Sequence, residues 1–186
     1  MQNEMGICFA LPMTALEQIE NAVRDVNDFP KPGIVFKDIT PVLGDAGLFA
    51  SCMTLLAETV KEEKIDKVVG IDARGFIFAA GVAQNLNAGF VPVRKEGKLP
   101  WTTQKMAYTL EYGESVVEIH EDAVQPGEKV LLVDDLLATG GTAAAAIKLL
   151  KALEADVVGV SFLIELKALG GRSLLGDLPI HSLLKY

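Results

Sequence analysis

The sequence predicts an α/β protein with a mainly parallel central sheet and helices on both of its faces. Two observations support this fold class. Short apolar segments at 67–71, 90–93, 130–133 and 156–166 alternate with helix-forming segments, and this alternation is typical of a parallel sheet covered on both sides. The chain of 186 residues, half of them hydrophobic, is also long enough to bury one sizeable core. We therefore expect a single domain over 1–186.

The first part of the chain predicts two helices separated by an irregular segment. Thr14 and Glu17 have the spacing of a capping box, which predicts a first helix from about 14 to 27. Prolines in the segment 29–33 end that helix. An irregular segment follows, and Asp45 can cap a second helix that runs to about Lys64.

The rest of the chain predicts five strands, a hairpin and three helices. In order, we expect a strand at 67–71, a turn at 72–75, a helix at 76–86, a strand at 90–93, a long mobile loop at 97–105, a hairpin of 108–112 and 115–119, a strand at 130–133, a helix at 143–155, a strand at 156–166, a short helix at 168–175 and a last strand at 181–185.

The segment 130–142 carries the strongest functional signal. An apolar strand leads into Asp134 and Asp135, and a turn of small residues then enters a helix. Glycines let the backbone approach a ligand closely, and the first amides of a helix bind anions. No lysine follows the glycines, so this is not the loop of nucleotide hydrolases. The predicted phosphate cradle consists of Ala138, Thr139, Gly140, Gly141 and Thr142.

Three polar clusters follow three different apolar strands, at 72–74, 94–95 and 134–135. The carboxyl ends of parallel strands form the ligand-binding edge of an open α/β sheet, so we expect the three clusters to converge on one site. The basic residues Arg94, Lys95 and Lys98 lie close together in a chain of net charge −8. This pattern indicates a small anionic ligand and disfavours nucleic acid as a partner.

Composition also bears on location and metal binding. No apolar run approaches the ~20 residues that span a bilayer, and no basic residue precedes the apolar patch near the N-terminus, which disfavours a membrane span and a signal peptide. The two cysteines, Cys8 and Cys52, do not form a disulfide framework, so we expect reduced thiols and a cytoplasmic protein. Two histidines disfavour a histidine-rich metal site.

From about residue 28 onward the chain resembles the adenine phosphoribosyltransferases, which are type I phosphoribosyltransferases. The resemblance lies in four blocks, at 29–38, 72–76, 93–100 with 110–113, and 130–142. It implies the type I fold with a small base-binding N-terminal hood at about 1–43 and a flexible lid loop at about 95–113. It also implies a homodimer that uses Mg²⁺. The implied reaction, in purine salvage, transfers the phosphoribosyl group of phosphoribosyl diphosphate (PRPP) to adenine, giving AMP and diphosphate.

The resemblance assigns a role to each candidate residue. Glu111 handles the proton of the base as the catalytic residue, the cradle 138–142 binds the 5′-phosphate, and Asp134 and Asp135 bind the ribose hydroxyls directly or through Mg²⁺. The diphosphate is expected at Asp72, Ala73, Arg74, Arg94, Lys95 and Lys98. Adenine is expected at Val35, Phe36, Lys37 and Leu166. The peptide bond between Asp72 and Ala73 is expected to be cis.

Two alternatives stay open. The first is a phosphoribosyltransferase for another purine or pyrimidine base, such as hypoxanthine or orotate. The second is a regulator of the same fold that senses PRPP. Such a regulator needs a DNA-binding module, and the residues before Asp28 are too few for a winged helix. Lys37, where many relatives have arginine, and the lid sequence 101–105 depart from the common pattern.

Overall fold

A computed structural model describes residues 13–110 and 113–186 of the chain. The described residues fall into two compact units, one that ends at Phe49 and one that covers Ala50–Tyr186. The single domain expected over 1–186 stays a prediction.

The first helix begins as the sequence predicts and ends earlier. Helix α1, Ala15–Ala22, starts at the capping box, in which the Thr14 hydroxyl accepts the Glu17 amide at 3.2 Å and the Glu17 carboxylate accepts the Thr14 amide at 2.7 Å. The predicted extension to residue 27 is wrong, because Arg24–Asn27 forms strand β1.

Strand β1 pairs antiparallel with β2, Val35–Asp38. Two ion pairs join the strands, from Arg24 to Asp38 at 2.6 Å and from Lys37 to Asp25 at 2.6 Å. These cross-strand pairs, together with the backbone ladder, explain why the chain leaves the helix here.

Two helices complete the stretch up to residue 58. Helix α2 is Thr40–Gly44 and helix α3 is Ala46–Glu58. Asp45 caps α3 as expected, because its carboxylate accepts the Leu48 amide at 2.9 Å. Helix α3 ends at Glu58 and not near Lys64, and residues 59–63 continue it only as turns.

The second unit is built on a seven-stranded sheet. Its elements are β3 Lys67–Ile71, α4 Gly75–Asn85, β4 Gly89–Lys95, β5 Thr103–Leu110, β6 Gly113–His120, β7 Lys129–Leu137, α5 Gly141–Ala152, β8 Asp156–Glu165 and β9 Ile180–Lys185. Among the described residues the strand order is β5-β6-β4-β3-β7-β8-β9. Strands β4, β3, β7, β8 and β9 are parallel neighbours, and the hairpin β5–β6 adds two antiparallel strands at one edge.

Helices α4 and α5 cover opposite faces of this sheet. Val69 and Ile71 of β3 belong to the buried cluster that contains the apolar side of α5. Gly70, between them, faces Ala79 of α4. Successive residues of a strand point to opposite faces, so the two helices lie on the two sides of the sheet. The α/β fold class is therefore confirmed, with a mostly parallel sheet.

The hairpin is longer than predicted, and the loop before it is shorter. Thr103 pairs with His120 and Lys105 with Glu118, so the predicted mobile loop 97–105 is wrong over 103–105. These residues belong to β5 because β6 is long enough to pair with them. The irregular connection between β4 and β5 is 96–102.

Two other boundaries differ after residue 130. Strand β7 extends to Leu137 because it keeps pairing with β8, for example Asp134 with Phe162 and Leu137 with Glu165. The acidic residues thus lie inside the strand and not after it. The predicted helix 168–175 is two short 3₁₀ turns around Gly170, whose φ is +64°. No helix in the described ranges is both long and apolar enough to cross a membrane.

The contact between β3 and α4 predicts a large cost for a methyl group at residue 70. In Gly70→Ala the new Cβ would lie 2.6 Å from the Ala79 Cβ and 3.0 Å from the Phe90 ring. We expect a loss of about 1–3 kcal/mol in the free energy of unfolding, measured by urea denaturation. The matched control is Gly44→Ala at the end of α2, where nothing lies within 4 Å of the new Cβ. Equal stability of the two variants would contradict this packing.

Candidate active site

Polar residues at the carboxyl ends of three parallel strands meet in one cavity of about 420 Å³. The cavity lies at the carboxyl ends of β3 and β4 and beside the last part of β7, with the hairpin β5–β6 as a further wall. It is lined by Ile71, Asp72, Ala73, Arg74, Lys95, Tyr108, Ser115, Asp134, Asp135 and Thr142. Seven candidate residues from the sequence are thus brought together. The peptide bond between Asp72 and Ala73 is cis, as the resemblance implied.

Two adjacent carboxylates occupy the base of this cavity. Asp135 is buried, and its carboxylate forms an ion pair with the Arg74 guanidinium at 2.7 Å. The backbone amide of Asp135 donates to the Asp134 carboxylate at 3.0 Å. Asp134 in turn lies against the first residue of α4, since a Cβ on Gly75 would fall 2.3 Å from its Oδ1. The absence of a side chain at Gly75 therefore makes room for the carboxylate at a helix N-terminus, which favours negative charge.

Burial shifts the protonation of this pair. Burial, followed by the charge of Asp135, raises the pKa of Asp134 well above its ordinary value. Burial also raises the pKa of Asp135, against the opposing effect of Arg74. A carboxylate pair that is costly to ionise is stabilised by hydroxyl donors or a cation. The pair is therefore suited to a polyhydroxylated ligand or a metal-bound one.

The loop between β7 and α5 forms a second, smaller concavity of about 70 Å³. Gly140 is the residue before α5 and has a φ of +83°, a conformation that favours glycine. The first amides of α5 have no acceptor within the helix. The lining residues are Asp134, Leu136, Leu137, Ala138, Thr139, Gly140, Gly141, Thr142 and Ala143. Asp134 and Thr142 line both the concavity and the larger cavity, so a ligand can occupy both at once.

The candidate cations occupy different positions. Arg74 and Lys95 line the cavity, whereas Arg94 and Lys98 are absent from its described lining. The Arg94 guanidinium contacts the Asp72 carboxylate at 3.2 Å and donates to the Lys98 carbonyl at 2.9 Å. Arg94 thus connects the end of β3 to the loop 96–102. A direct contact of Arg94 or Lys98 with diphosphate stays a prediction.

Glu118 of β6 is a residue that the sequence analysis missed. Its side chain is only 2% exposed, and its carboxylate accepts the amides of Lys98 and Leu99 at 2.9 and 3.0 Å and the Thr103 hydroxyl at 3.2 Å. Burial raises the pKa of Glu118, but the amide and hydroxyl donors outweigh burial and the net shift is downward. Glu118 therefore stays charged and ties the middle of the loop 96–102 to the start of β5. The available signal was an acidic residue inside the apolar run 116–119.

Two residues of the hairpin also line the cavity without having been predicted. Tyr108 and Ser115 are direct partners across β5 and β6. Tyr108 also packs beside the core. Only the register of the hairpin brings its side chain and Ser115 to the cavity.

The candidate adenine residues lie in separate parts of the chain. Val35, Phe36 and Lys37 are on β2 of the first unit, where Phe36 packs edge-on against Phe29 with ring centroids 5.2 Å apart. Leu166 directly follows β8 of the second unit. Glu111, the candidate proton-handling residue, lies outside the described residues. The roles of these residues in adenine binding and catalysis stay predictions.

Comparison with known proteins first defines the class. The family model described as the phosphoribosyl transferase domain matches residues 43–173. This stretch contains both the acidic pair and the loop before α5. The chain therefore has the fold of a type I phosphoribosyltransferase.

Individual relatives narrow the class. The adenine phosphoribosyltransferase of Acidothermus cellulolyticus is 55% identical over 169 residues, which cover 91% of this chain and 96% of the relative. The crystal structure of the enzyme from Rhodothermus marinus is 51% identical with a TM-score of 0.87, covering 92% of this chain and 98% of that one. The Saccharomyces cerevisiae enzyme, complexed with an imino-altritol bisphosphate and adenine, is 41% identical with a TM-score of 0.86, covering 91% and 98%. The chain belongs to the adenine phosphoribosyltransferase family.

The raised pKa of Asp134 predicts that its ionised carboxylate lowers the free energy of unfolding at neutral pH. The folded state binds a proton more tightly than the unfolded chain, so stability is lost as pH rises from the ordinary value of 3.8 through the raised pKa. Asp134→Asn keeps the acceptor for the Asp135 amide and removes the charge. We expect the ligand-free variant to melt a few degrees higher than wild type at neutral pH.

The measurement is the thermal midpoint across the acid-to-neutral range. The matched control, Asp122→Asn, removes the same charge from an exposed turn residue and should follow the wild-type curve. Superimposable curves for wild type and Asp134→Asn would show that the carboxylate carries no such cost.

The contacts of Glu118 predict that its carboxylate protects the loop 96–102 from proteolytic cleavage. In Glu118→Ala the amides of Lys98 and Leu99 lose their acceptor, at a cost of about 1–3 kcal/mol for the local structure. We expect trypsin to cleave the native variant after Lys95 or Lys98 on the order of tenfold faster than wild type. Glu118→Gln keeps one acceptor oxygen, so its cleavage rate should lie between those of wild type and Glu118→Ala. Wild-type cleavage rates in both variants would remove Glu118 from this role.

Proposed function

We propose that this chain transfers the 5-phosphoribosyl group of PRPP to adenine and releases AMP and diphosphate, a reaction of purine salvage. The observation that supports this most is the shared lining of the two depressions. A phosphate-sized concavity at the start of α5 and a larger cavity with both acidic and basic residues meet at Asp134 and Thr142. A phosphorylated sugar with a second charged group fits this arrangement.

The proposed binding of the sugar phosphate follows from the chemistry of the loop 138–142 and of the adjacent carboxylates. The amides and hydroxyls of 138–142 hold the 5′-phosphate, as helix N-termini hold anions. The ribose hydroxyls then lie over Asp134 and Asp135 and donate to the carboxylates. Catalysis of this kind depends on holding the reacting groups in line and on matching charge that develops at the transition state.

The leaving group carries the negative charge that develops during the reaction. As the bond from the anomeric carbon to the diphosphate breaks, positive charge grows on the ribose and negative charge on the diphosphate. Arg74 and Lys95 line the cavity and suit the diphosphate, Arg74 as a planar fork and Lys95 as a point charge. The carboxylates of Asp134 and Asp135 stabilise the positive charge on the sugar. Asp72, Ala73, Arg94 and Lys98 complete the proposed diphosphate site.

The base is proposed to enter from the side of Val35, Phe36, Lys37 and Leu166. Main-chain groups around Val35 would accept from the adenine amino group and donate to the adjacent ring nitrogen. Glu111 would exchange a proton with the imidazole ring of adenine as the new bond forms. These roles rest on the match at 29–38 and 110–113.

Magnesium fits the acidic pair only together with the substrate. Among residues 13–110 and 113–186, no group of three or more His, Cys, Asp or Glu side chains could hold a metal ion. Two adjacent carboxylates suit Mg²⁺, which commonly uses one or two carboxylates together with substrate phosphates and water. Mg²⁺ held by Asp134, Asp135 and the diphosphate would neutralise the leaving group. The homodimer and the cytoplasmic location stay predictions.

The proposed function predicts a specific product and a specific base. With adenine, PRPP and Mg²⁺ we expect AMP and diphosphate in equal amounts, and no product in excess chelator. Hypoxanthine presents an acceptor where adenine presents a donor, so a site built for adenine should disfavour it by about 10⁴ or more in kcat/KM. Chromatographic product analysis with a panel of bases measures both.

The controls separate the proposed function from its alternatives. Asp134→Asn and Asp135→Asn should each lower kcat/KM by orders of magnitude, whereas Asp122→Asn should not. Comparable rates with adenine and hypoxanthine would favour a phosphoribosyltransferase of broader base choice. PRPP binding without turnover of any base would favour a PRPP-sensing protein.

A further inference from the structure

The loop that forms the small concavity is in contact with a second glycine turn on its outer side. A Cβ on Gly140 would lie 2.4 Å from the Gly171 carbonyl oxygen. A Cβ on Gly171 would lie 2.2 Å from the Ala138 carbonyl oxygen and 2.8 Å from the Gly140 nitrogen. Main chain thus packs on main chain at successive residues of the loop. Gly171 is buried and does not belong to the described lining of the concavity.

The side chain next to Gly171 fixes this turn to the sheet. The Arg172 guanidinium contacts both carboxylate oxygens of Glu165, with Nε–Oε1 at 3.0 Å and Nη2–Oε2 at 2.5 Å. Its Nη1 donates to the Ile180 carbonyl at 2.9 Å, at the start of β9. Arg172 therefore joins the 3₁₀ turn Gly171–Leu174 to both β8 and β9.

Glu165 is itself rigidly held at the end of β8. It is 6% exposed, and its carboxylate also accepts the Ser182 hydroxyl at 2.7 Å. The hydrogen bonds from Arg172 are the largest cause that lowers the pKa of Glu165, so the ion pair is complete at neutral pH. A two-pronged contact of this kind fixes orientation as well as distance.

We propose that Arg172 is a positioning residue of the 5′-phosphate site, because its fork on Glu165 holds the Gly171 main chain against 138–140. The turn acts as a wall that prevents the loop from relaxing away from the first turn of α5. The loop amides then point into one concavity before the ligand arrives, and preorganisation of this kind contributes directly to affinity. The inference rests on the proposed function, in that the concavity is taken to bind a sugar phosphate.

The positioning role of Arg172 predicts that its substitution weakens the binding of ribose 5-phosphate and leaves the binding of diphosphate unchanged. Arg172→Lys keeps the charge and loses the fork. Gly171→Ala places a methyl group against the loop. For both variants we expect the Kd of ribose 5-phosphate, measured calorimetrically, to rise on the order of tenfold. The Kd of diphosphate, which binds on the far side of the acidic pair, should stay within about twofold of wild type.

The control variant separates positioning from stability. Lys129 forms an ion pair with Glu63 at the opposite end of β7, so Lys129→Ala removes an ion pair far from the loop. We expect Lys129→Ala to leave the Kd of ribose 5-phosphate unchanged whatever it does to the thermal midpoint. If Gly171→Ala does not fold, Arg172→Lys carries the test alone.

The outcomes distinguish this inference from the proposed function. A wild-type protein that binds neither ribose 5-phosphate nor PRPP would overturn the proposed function. A wild-type protein that binds both, with unchanged ribose 5-phosphate affinity in folded Arg172→Lys, would overturn the positioning role alone. A lower thermal midpoint without any change in affinity would also overturn it, because it would show that Arg172 only stabilises the fold.

Discussion

The arrangement of this site depends on keeping two adjacent carboxylates partly buried in the middle of a parallel sheet. Desolvation of both groups is costly, and the protein offsets part of the cost with neighbours that are themselves structural. Arg74 at the start of α4 pairs with Asp135, the missing side chain of Gly75 makes room for Asp134, and the Asp135 amide donates to the Asp134 carboxylate. The start of α4 and the end of β7 are therefore adapted to each other.

Other parts of the second unit support the same edge of the sheet. Arg94 connects Asp72 with the Lys98 carbonyl in the loop 96–102, and the buried Glu118 accepts the amides of Lys98 and Leu99 in the same loop. The pair Arg172–Glu165 holds the glycine turn that packs on the loop between β7 and α5. These charged side chains thus fix the loops that border the cavity and the smaller concavity.

The sequence predicted the elements whose cause is local. The capping box, the apolar strands and the glycine turn before α5 depend on near neighbours, and all three are present in the structure. Boundaries set by distant partners were missed. Helix α1 ends before Arg24 because Arg24 pairs with Asp38 on the neighbouring strand. Strand β5 starts at Thr103 because β6 is long enough to pair with that residue. Strand β7 continues past Asp134 because it keeps pairing with β8. The clustering of 72–74, 95 and 134–135 was predictable because the carboxyl ends of parallel strands share one edge of the sheet. The positions of Tyr108, Ser115 and Glu118 depend on the register of the hairpin, which patterns in the sequence do not encode.

The position of the hairpin has a consequence for how a ligand reaches the site. Strand β5 is the outermost strand of the sheet and pairs only with β6 in the part of the chain that the structure describes. One wall of the cavity, at Tyr108 and Ser115, therefore belongs to the hairpin at the edge of the sheet, while the carboxylates belong to a central strand. Local opening free energies in proteins increase from such edges to the core. Exchange of substrate and product can then proceed by a small, local opening of the sheet edge that leaves the central strands and their charges undisturbed.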